Sequence, residues 1–127
     1  MMVEIQALVT ESFSAVSKRI FSGIDYNRGQ LLAAVVQKTM GVPLYKYDVF
    51  VSVAGGMRLL DTASDLAVVA AIYSSYKEKP LGSKVYVGEV SLLGEVRKVR
   101  QMERRQKEAK AMGREVATIY SIRGLKD

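Results

Sequence analysis

The feature that most constrains the fold is a run of seven apolar residues at positions 66–72 (LAVVAAI), near the middle of the chain. The helical segment around this run, ending near Tyr76, is apolar on most sides, and a helix of that kind must be covered on most sides. The run is far shorter than the roughly 20 residues that cross a bilayer. We therefore expect a buried helix with other elements packed around it.

Two further helices are predicted from residue patterns on either side of that run. The first carries a helical apolar stripe, formed by Leu31, Leu32, Val35, Val36 and Met40. It should begin near Asp25, whose carboxylate would cap it, and stop at Gly41 and Pro43. Asp61, Thr62 and Ser64 are rival caps for the buried helix, and Asp65 suits its first turn. The third helix is charged, covers residues 101–112 and ends at Gly113.

Segments of alternating or mainly apolar residues predict the strands. They cover residues 3–10, 16–24, 47–54 and, after the pair Gly55–Gly56, 57–60. A hairpin is expected from residues 85–90 and 94–99 around residues 91–93, and a last strand from residues 115–120, with no helix after it. Lys18 and Arg19 should lie near a surface or a sheet edge.

The order of these elements indicates an α/β (α+β) fold with a mixed sheet and helices packed on it. It lacks the strict strand–helix alternation of a parallel doubly wound sheet. A length of 127 residues favours one domain spanning positions 1–127. Both ends resemble those of a domain excised from a longer protein.

Composition excludes several classes of chemistry. The chain has no Cys and no His, which removes the usual ligands of zinc, iron–sulfur clusters and haem. It also removes cysteine nucleophiles, disulfides and the commonest general base. No loop of the form G-x-x-x-x-G-K-[ST] occurs, so ATP binding is not expected. We predict no cofactor, no metal site and no membrane association, and a cytoplasmic location.

Positive charge is concentrated in one segment. The whole chain carries 19 Lys and Arg against 13 Asp and Glu, a net charge of +6. Residues 97–114 alone hold eight bases and two acids, a surplus that equals the net charge. Such a segment can bind a polyanion.

Helical geometry divides the basic segment into faces. At roughly 100° per residue, Met102, Ala109 and Met112 share an inward stripe. Arg104, Lys107 and, less closely, Arg100 face outward, where they could neutralise phosphates without reading bases. The alternative is a solvated face with internal pairs such as Glu103–Lys107.

Several motifs in order resemble the last domain of the RadA/Sms family of bacterial DNA-repair proteins. They are residues 3–10 (VEIQALVT), 23–28 (GIDYNR), 53–56 (VAGG), 65–67 (DLA), 74–75 (SS), 88–90 (GEV) and 94–97 (GEVR). Glu103–Arg104 and residues 108–110 (EAK) follow in the next helix. The match runs from Val3 to about Tyr120, nearly the whole chain.

The resemblance implies the fold of the Lon proteolytic domain and a place in a longer protein. Upstream, that protein would carry a four-cysteine zinc motif and a RecA-like, DNA-dependent ATPase. The implied role is a non-catalytic module that builds a hexameric ring and holds DNA, largely independently of sequence, during branch migration in homologous recombination. DNA, further copies of the chain and RecA are the implied partners.

The same resemblance bears on proteolysis, because Lon-type proteases pair a Ser nucleophile with a Lys base. Counting back from Pro80 places Ala63 at the nucleophile position, and aligning Glu103–Arg104 places Met102 at the base position. Neither side chain can do that chemistry. Ser64 is one residue away, and we expect its hydroxyl to hydrogen-bond to backbone in the first helical turn. Lys98 and Lys107 are conceivable bases, but both should be solvated.

The predicted DNA-binding residues are Arg28, Lys98, Arg100, Arg104, Arg105 and Lys107. Arg28 has alternative roles, since it could pair with Asp25, lie on the sheet, or face DNA or a neighbouring subunit. Tyr45 and Tyr47 flank Lys46 in a way that superficially resembles a base-stacking site, but strand periodicity accounts for them better. The alternatives to DNA binding are a purely structural oligomerisation domain and a residual peptidase using Ser64.

Overall fold

The computed structural model describes residues 3–56, 58–59 and 61–126. Over these residues it is an α+β fold in which helices pack on a mixed sheet, as predicted. The main sheet contains β1 (Ile5–Glu11), β2 (Arg19–Ser22) and β3 (Tyr47–Val53), with β3 in the centre. Strand β3 pairs antiparallel with β1 and parallel with β2, so one strand joins both kinds of pairing.

The two helices that pack on this sheet have the predicted positions. Helix α1 (Tyr26–Met40) is capped by Asp25, whose carboxylate accepts a hydrogen bond from the Arg28 amide at 3.0 Å. It ends at Gly41, whose φ of 68° is in the left-handed region that favours glycine. Helix α2 (Asp65–Lys77) buries six residues of the apolar run, which confirms the central buried helix: Leu66, Val68, Val69, Ala70, Ala71 and Ile72.

The two faces of the sheet differ in what covers them. Val49, Val51 and Val53 of β3 point toward the helices and are buried. On the other face, Phe50 lies between Leu8 of β1 and Ile20 of β2. The two flanking side chains are 56% and 52% exposed, so this row of apolar residues faces solvent.

Strand β2 is held at the sheet edge by polar contacts. The Arg19 guanidinium donates to the carbonyls of Leu44 and Tyr47, at 2.8 and 2.6 Å. Partial burial lowers the pKa of Arg19 from its ordinary value. The Lys18 amide donates to the Asp48 carboxylate at 2.7 Å. The predicted edge position of Lys18 and Arg19 is therefore confirmed, with Arg19 bonded to the chain rather than free.

Several predicted strands are shorter in the structure. The segment 16–24 forms only the four residues of β2, because Val16 is 80% exposed and Ile24 makes a single bridge to Leu59. In the predicted extended segment 57–60, Met57 and Leu60 lie outside the described residues. The predicted hairpin exists, but its strands β4 (Glu89–Val90) and β5 (Val96–Arg97) have two residues each.

The predicted last strand at 115–120 is wrong. Val116 makes one isolated bridge to Val85, and the segment otherwise runs as irregular chain. Alternating residues alone do not make a strand when no neighbouring chain stays alongside. After helix α3 (Met102–Ala111), the chain ends in a 3-10 helix at Ile122–Lys126, where none was expected.

Gly29 sets how closely α1 approaches β2. A Cβ at this position would lie 2.6 Å from ring carbons of Phe21. Replacing Gly by Ala in a helix normally gains about 1 kcal/mol, but the Gly29→Ala variant should instead lose roughly 1–3 kcal/mol through overpacking. Urea unfolding monitored by circular dichroism measures this difference.

A second variant separates the clash from other causes. In a Phe21→Ala background the ring and its Cγ are gone, so Gly29→Ala should become neutral or stabilising. If Gly29→Ala is equally harmful in both backgrounds, the proposed contact with Phe21 is not the cause.

Asp48 should make stability depend on acidity. Its hydrogen bond from the Lys18 amide lowers the pKa of this carboxyl below its usual value. A carboxyl with a depressed folded pKa stabilises the fold above its unfolded pKa, and this contribution is lost as the pH falls through the folded pKa. Asp48→Asn should therefore flatten the loss of thermal stability below about pH 4. Melting temperatures at neutral and acid pH measure it, and an unchanged acid profile would contradict it.

Candidate nucleic-acid interface

Helix α3 presents the basic segment on the surface. Its contact with the core is Ala109, which is fully buried, while Met102 is half-buried. Met112 was expected to point inward, but it is 60% exposed. It lies just past the last helical residue, with φ −97° and ψ 11°, so helical periodicity no longer applies to it.

The exposed bases on α3 and the segment leading into it include Lys98, Arg100, Arg104 and Lys107. We call these four residues the cationic face. In the described part of the chain, none of the four forms an ion pair, and the alternative pair Glu103–Lys107 is not made. The predicted exposure of these residues is confirmed, and their charge is available to an external anion.

Arg105 differs from its neighbours because it is bonded to the chain. Its guanidinium lies 3.2 Å from the Asp61 carboxylate and also donates to the Arg100 carbonyl at 3.1 Å. The other oxygen of Asp61 accepts a hydrogen bond from the Ala63 amide at 2.9 Å. One carboxylate thus caps the 3-10 turn Thr62–Ser64 before α2 and holds α3 beside it.

Arg28, which is on α1, pairs with Asp65 at the start of α2. Its Nε donates to one carboxylate oxygen at 3.1 Å, and a terminal nitrogen bonds the other. The Asp65 side chain is only 3% exposed, whereas that of Arg28 is 30% exposed. Pairing with Asp25 was one expectation and is wrong, because Asp25 bonds the Arg28 amide instead.

The Arg28–Asp65 pair also holds the hairpin. The Val90 amide donates to Asp65 at 3.0 Å, and the Val90 carbonyl accepts from Arg28 at 3.3 Å. The hydrogen bond to Asp65 raises the pKa of Arg28, against partial burial, which lowers it. Burying a carboxylate is tolerated when its oxygens are paired and hydrogen-bonded in this way.

The positions that the resemblance assigns to a Ser/Lys dyad hold a methyl group and a thioether. Ala63 is buried, and its carbonyl accepts from the Gly88 amide at 2.9 Å. Ser64 stands at the N-cap of α2, but its hydroxyl makes no capping hydrogen bond, so the expected bond to backbone is wrong. Ser64 lines a cleft in the surface. Lys98 and Lys107 are exposed, and neither of them lines that cleft.

That cleft, of about 640 Å³, was not found by sequence reasoning. It lies between α2, α3 and the start of β1, and its polar lining includes Ser64, Lys84, Arg105, Glu108 and Arg114. These residues come from distant parts of the chain, so no local pattern marks them. Among the described residues, no group of three or more acidic side chains could hold a metal ion.

The paired tyrosines have separate surroundings. Tyr47 is half-buried and packs edge-on against Tyr76, with ring centroids 5.4 Å apart. Tyr45 is 61% exposed and lies in the 3-10 turn Leu44–Lys46, with the Lys46 ammonium 5.7 Å from its ring centroid. Strand periodicity therefore explains Tyr47 but not Tyr45.

The fold and the cationic face together define a small basic α+β domain with a surface suited to a polyanion. No family model matches the chain. Three DNA repair proteins named RadA are similar to it. The protein from Campylobacter jejuni is 46% identical over 111 residues, and that from Pseudomonas aeruginosa 48% over 110. The Bacillus subtilis protein is 43% identical over 113 residues.

These matches cover 86–88% of this chain and 24–25% of the three relatives. The chain therefore spans about a quarter of the length of the curated relatives it matches. Over that length it belongs to the RadA family of DNA repair proteins. No helix in the described ranges is long and apolar enough to cross a membrane.

Removing one partner of the Arg28–Asp65 pair should destabilise the fold strongly. Asp65→Asn removes the counter-charge of Arg28 and weakens the bond to the Val90 amide. Breaking a buried pair costs about 3–5 kcal/mol, and the partial exposure of Arg28 places the expected loss at about 3 kcal/mol. Arg105→Gln, which removes the more exposed pair with Asp61, should cost about 1 kcal/mol or less. Equal losses in urea unfolding would contradict this ranking.

Proposed function

We propose that this chain is a non-catalytic DNA-binding and scaffold domain, equivalent to the carboxy-terminal Lon-like domain of a RadA-type ATPase. The observation that carries the proposal is the cationic face, whose four bases are exposed and without an ion-pair partner in the described part of the chain. The relatives at 42–48% identity are DNA repair proteins, which favours DNA as the polyanion.

The cationic face suits phosphate binding rather than base reading. Its side chains are long and exposed, with Arg104 and Lys107 about one turn apart on α3 and the other two in the segment before it. Such contacts neutralise phosphates without sequence information. In this role, Arg105 and Arg28 contribute through their exposed portions while they brace the fold. Binding should therefore depend strongly on salt and little on sequence.

The scaffold part of the proposal concerns the longer protein. Six copies would form a ring that supports upstream ATPase domains and keeps the cationic faces on DNA during branch migration in recombination. The whole protein would act in the cytoplasm, with RecA as a partner. The Ala63 methyl group and Met102 thioether leave this domain without a nucleophile or base at the dyad positions. ATP hydrolysis would belong to the upstream domain.

Removing two charges from the cationic face should change the salt dependence of DNA binding. Each phosphate contact contributes about 0.9 to the slope of log K against log salt. Arg104→Gln with Lys107→Gln should therefore reduce the magnitude of this slope by about 2 on duplex DNA. Fluorescence anisotropy at several salt concentrations measures it.

A matched control removes the same charge elsewhere. Lys18 and Lys77 are bases outside the cationic face, and replacing both with Gln should leave the slope nearly unchanged. Absence of DNA binding at low salt would refute the proposal. If the Arg104/Lys107 variant sediments as a smaller assembly but keeps the parent slope of log K against log salt, the residues serve assembly alone.

A further inference from the structure

The turn between β4 and β5 exposes two adjacent leucines. Leu92 is 70% exposed and Leu93 is 77% exposed. Isolated apolar side chains are common on protein surfaces, but two at the tip of one hairpin gain almost nothing from burial in the fold. An exposed apolar pair at a projecting tip is a candidate for insertion into a partner.

Hydrogen bonds make this tip rigid. The Ser91 hydroxyl accepts from the amides of Leu93 and Glu95, at 3.3 and 3.1 Å. The Gly94 amide donates to the Ser91 carbonyl at 2.9 Å, which closes the turn. The leucines are therefore held outward by a bonded turn and not by a loose loop.

The base of the turn is fixed against the core. Gly94 has φ 81°, and a Cβ there would lie 2.7 Å from the methyl carbon of Thr39. The Gly94 carbonyl also accepts from the Ile122 amide at 2.8 Å. Because the turn is anchored on two sides, the leucines cannot fold back onto the protein without breaking these contacts.

Three cations lie near the tip, and two nearby acids accept hydrogen bonds from hydroxyl groups. Arg97 follows Gly94 by three residues, about 10 Å at strand spacing, and Lys98 comes next. The exposed Arg123 donates to the carbonyl of Thr39, whose side chain lies beside Gly94. Glu89 accepts from Thr62 at 2.7 Å, and Glu95 accepts from Ser91 at 3.4 Å.

We propose that Leu92 and Leu93 form an apolar wedge that enters between adjacent base pairs of duplex DNA. Arg97, Lys98 and Arg123 hold the phosphates on either side. This inference rests on the proposed DNA-binding function and adds a mode of contact to it. Apolar side chains that enter a base step unstack it, and phosphate contacts beside the step hold the distorted duplex. Unstacking is easiest at a mismatch, so mismatched duplex is the preferred ligand.

The test uses duplexes that carry 2-aminopurine beside a mismatch, because this base fluoresces more when unstacked. Adding the 127-residue chain should raise the fluorescence several-fold. Leu92→Ser with Leu93→Ser should abolish the rise while low-salt affinity for matched duplex stays within about twofold, since that affinity comes from phosphate contacts. Leu92→Met with Leu93→Met should restore most of the rise.

Further measurements separate the possible failures. Leu8→Ser, at an exposed leucine on the sheet, should leave the fluorescence rise intact. An equal rise with both Leu92→Ser and Leu93→Ser in place, alongside normal DNA binding, overturns the wedge and leaves the proposed function standing. If that double variant forms a smaller assembly in solution than the parent chain, the leucines form a contact between copies of the chain and the wedge is overturned. Absence of DNA binding by the parent chain refutes both proposals.

Discussion

The hydrogen-bonded group of Arg28, Asp65 and Val90 fixes the relative positions of α1, α2 and β4. It joins the first turn of α1, the first residue of α2 and the strand β4, which are up to 62 residues apart in the chain. Asp65 is the one charged side chain among the buried residues of the described ranges, and each of its oxygens accepts a hydrogen bond. Because a buried carboxylate without these partners would be strongly unfavourable, the three elements must reach their positions together.

Helices α1 and α2 are predictable from sequence because local signals and packing agree there. Asp25 caps α1, Gly41 ends it, and the apolar run of α2 is buried as its composition requires. The residue pattern overstates the strands at residues 16–24 and again beyond residue 80. Val85 and Val116 meet in one bridge, and the chain then diverges, which depends on long-range packing and not on local preference.

The candidate site was predictable to the extent that helical geometry defines it. The exposure of Arg104 and Lys107 follows from the spacing of Ala109 on the opposite face of α3. The contacts of Arg28 with Asp65 and of Arg105 with Asp61 join residues 37 and 44 positions apart. Asp65 fits the first turn of a helix equally well with or without a partner, so no local pattern distinguishes its true role.

Asp61 acts as an internal competitor for any phosphate that approaches Arg105. An incoming anion would replace a carboxylate that also caps the turn before α2. The free energy of binding that anion is therefore offset in part by the loss of the Arg105–Asp61 pair. Such exchange favours shallow, readily reversed contact over tight capture. Under the proposed DNA-binding function, cations of this kind would let the chain shift along a nucleic acid, because each contact can be exchanged for an internal one.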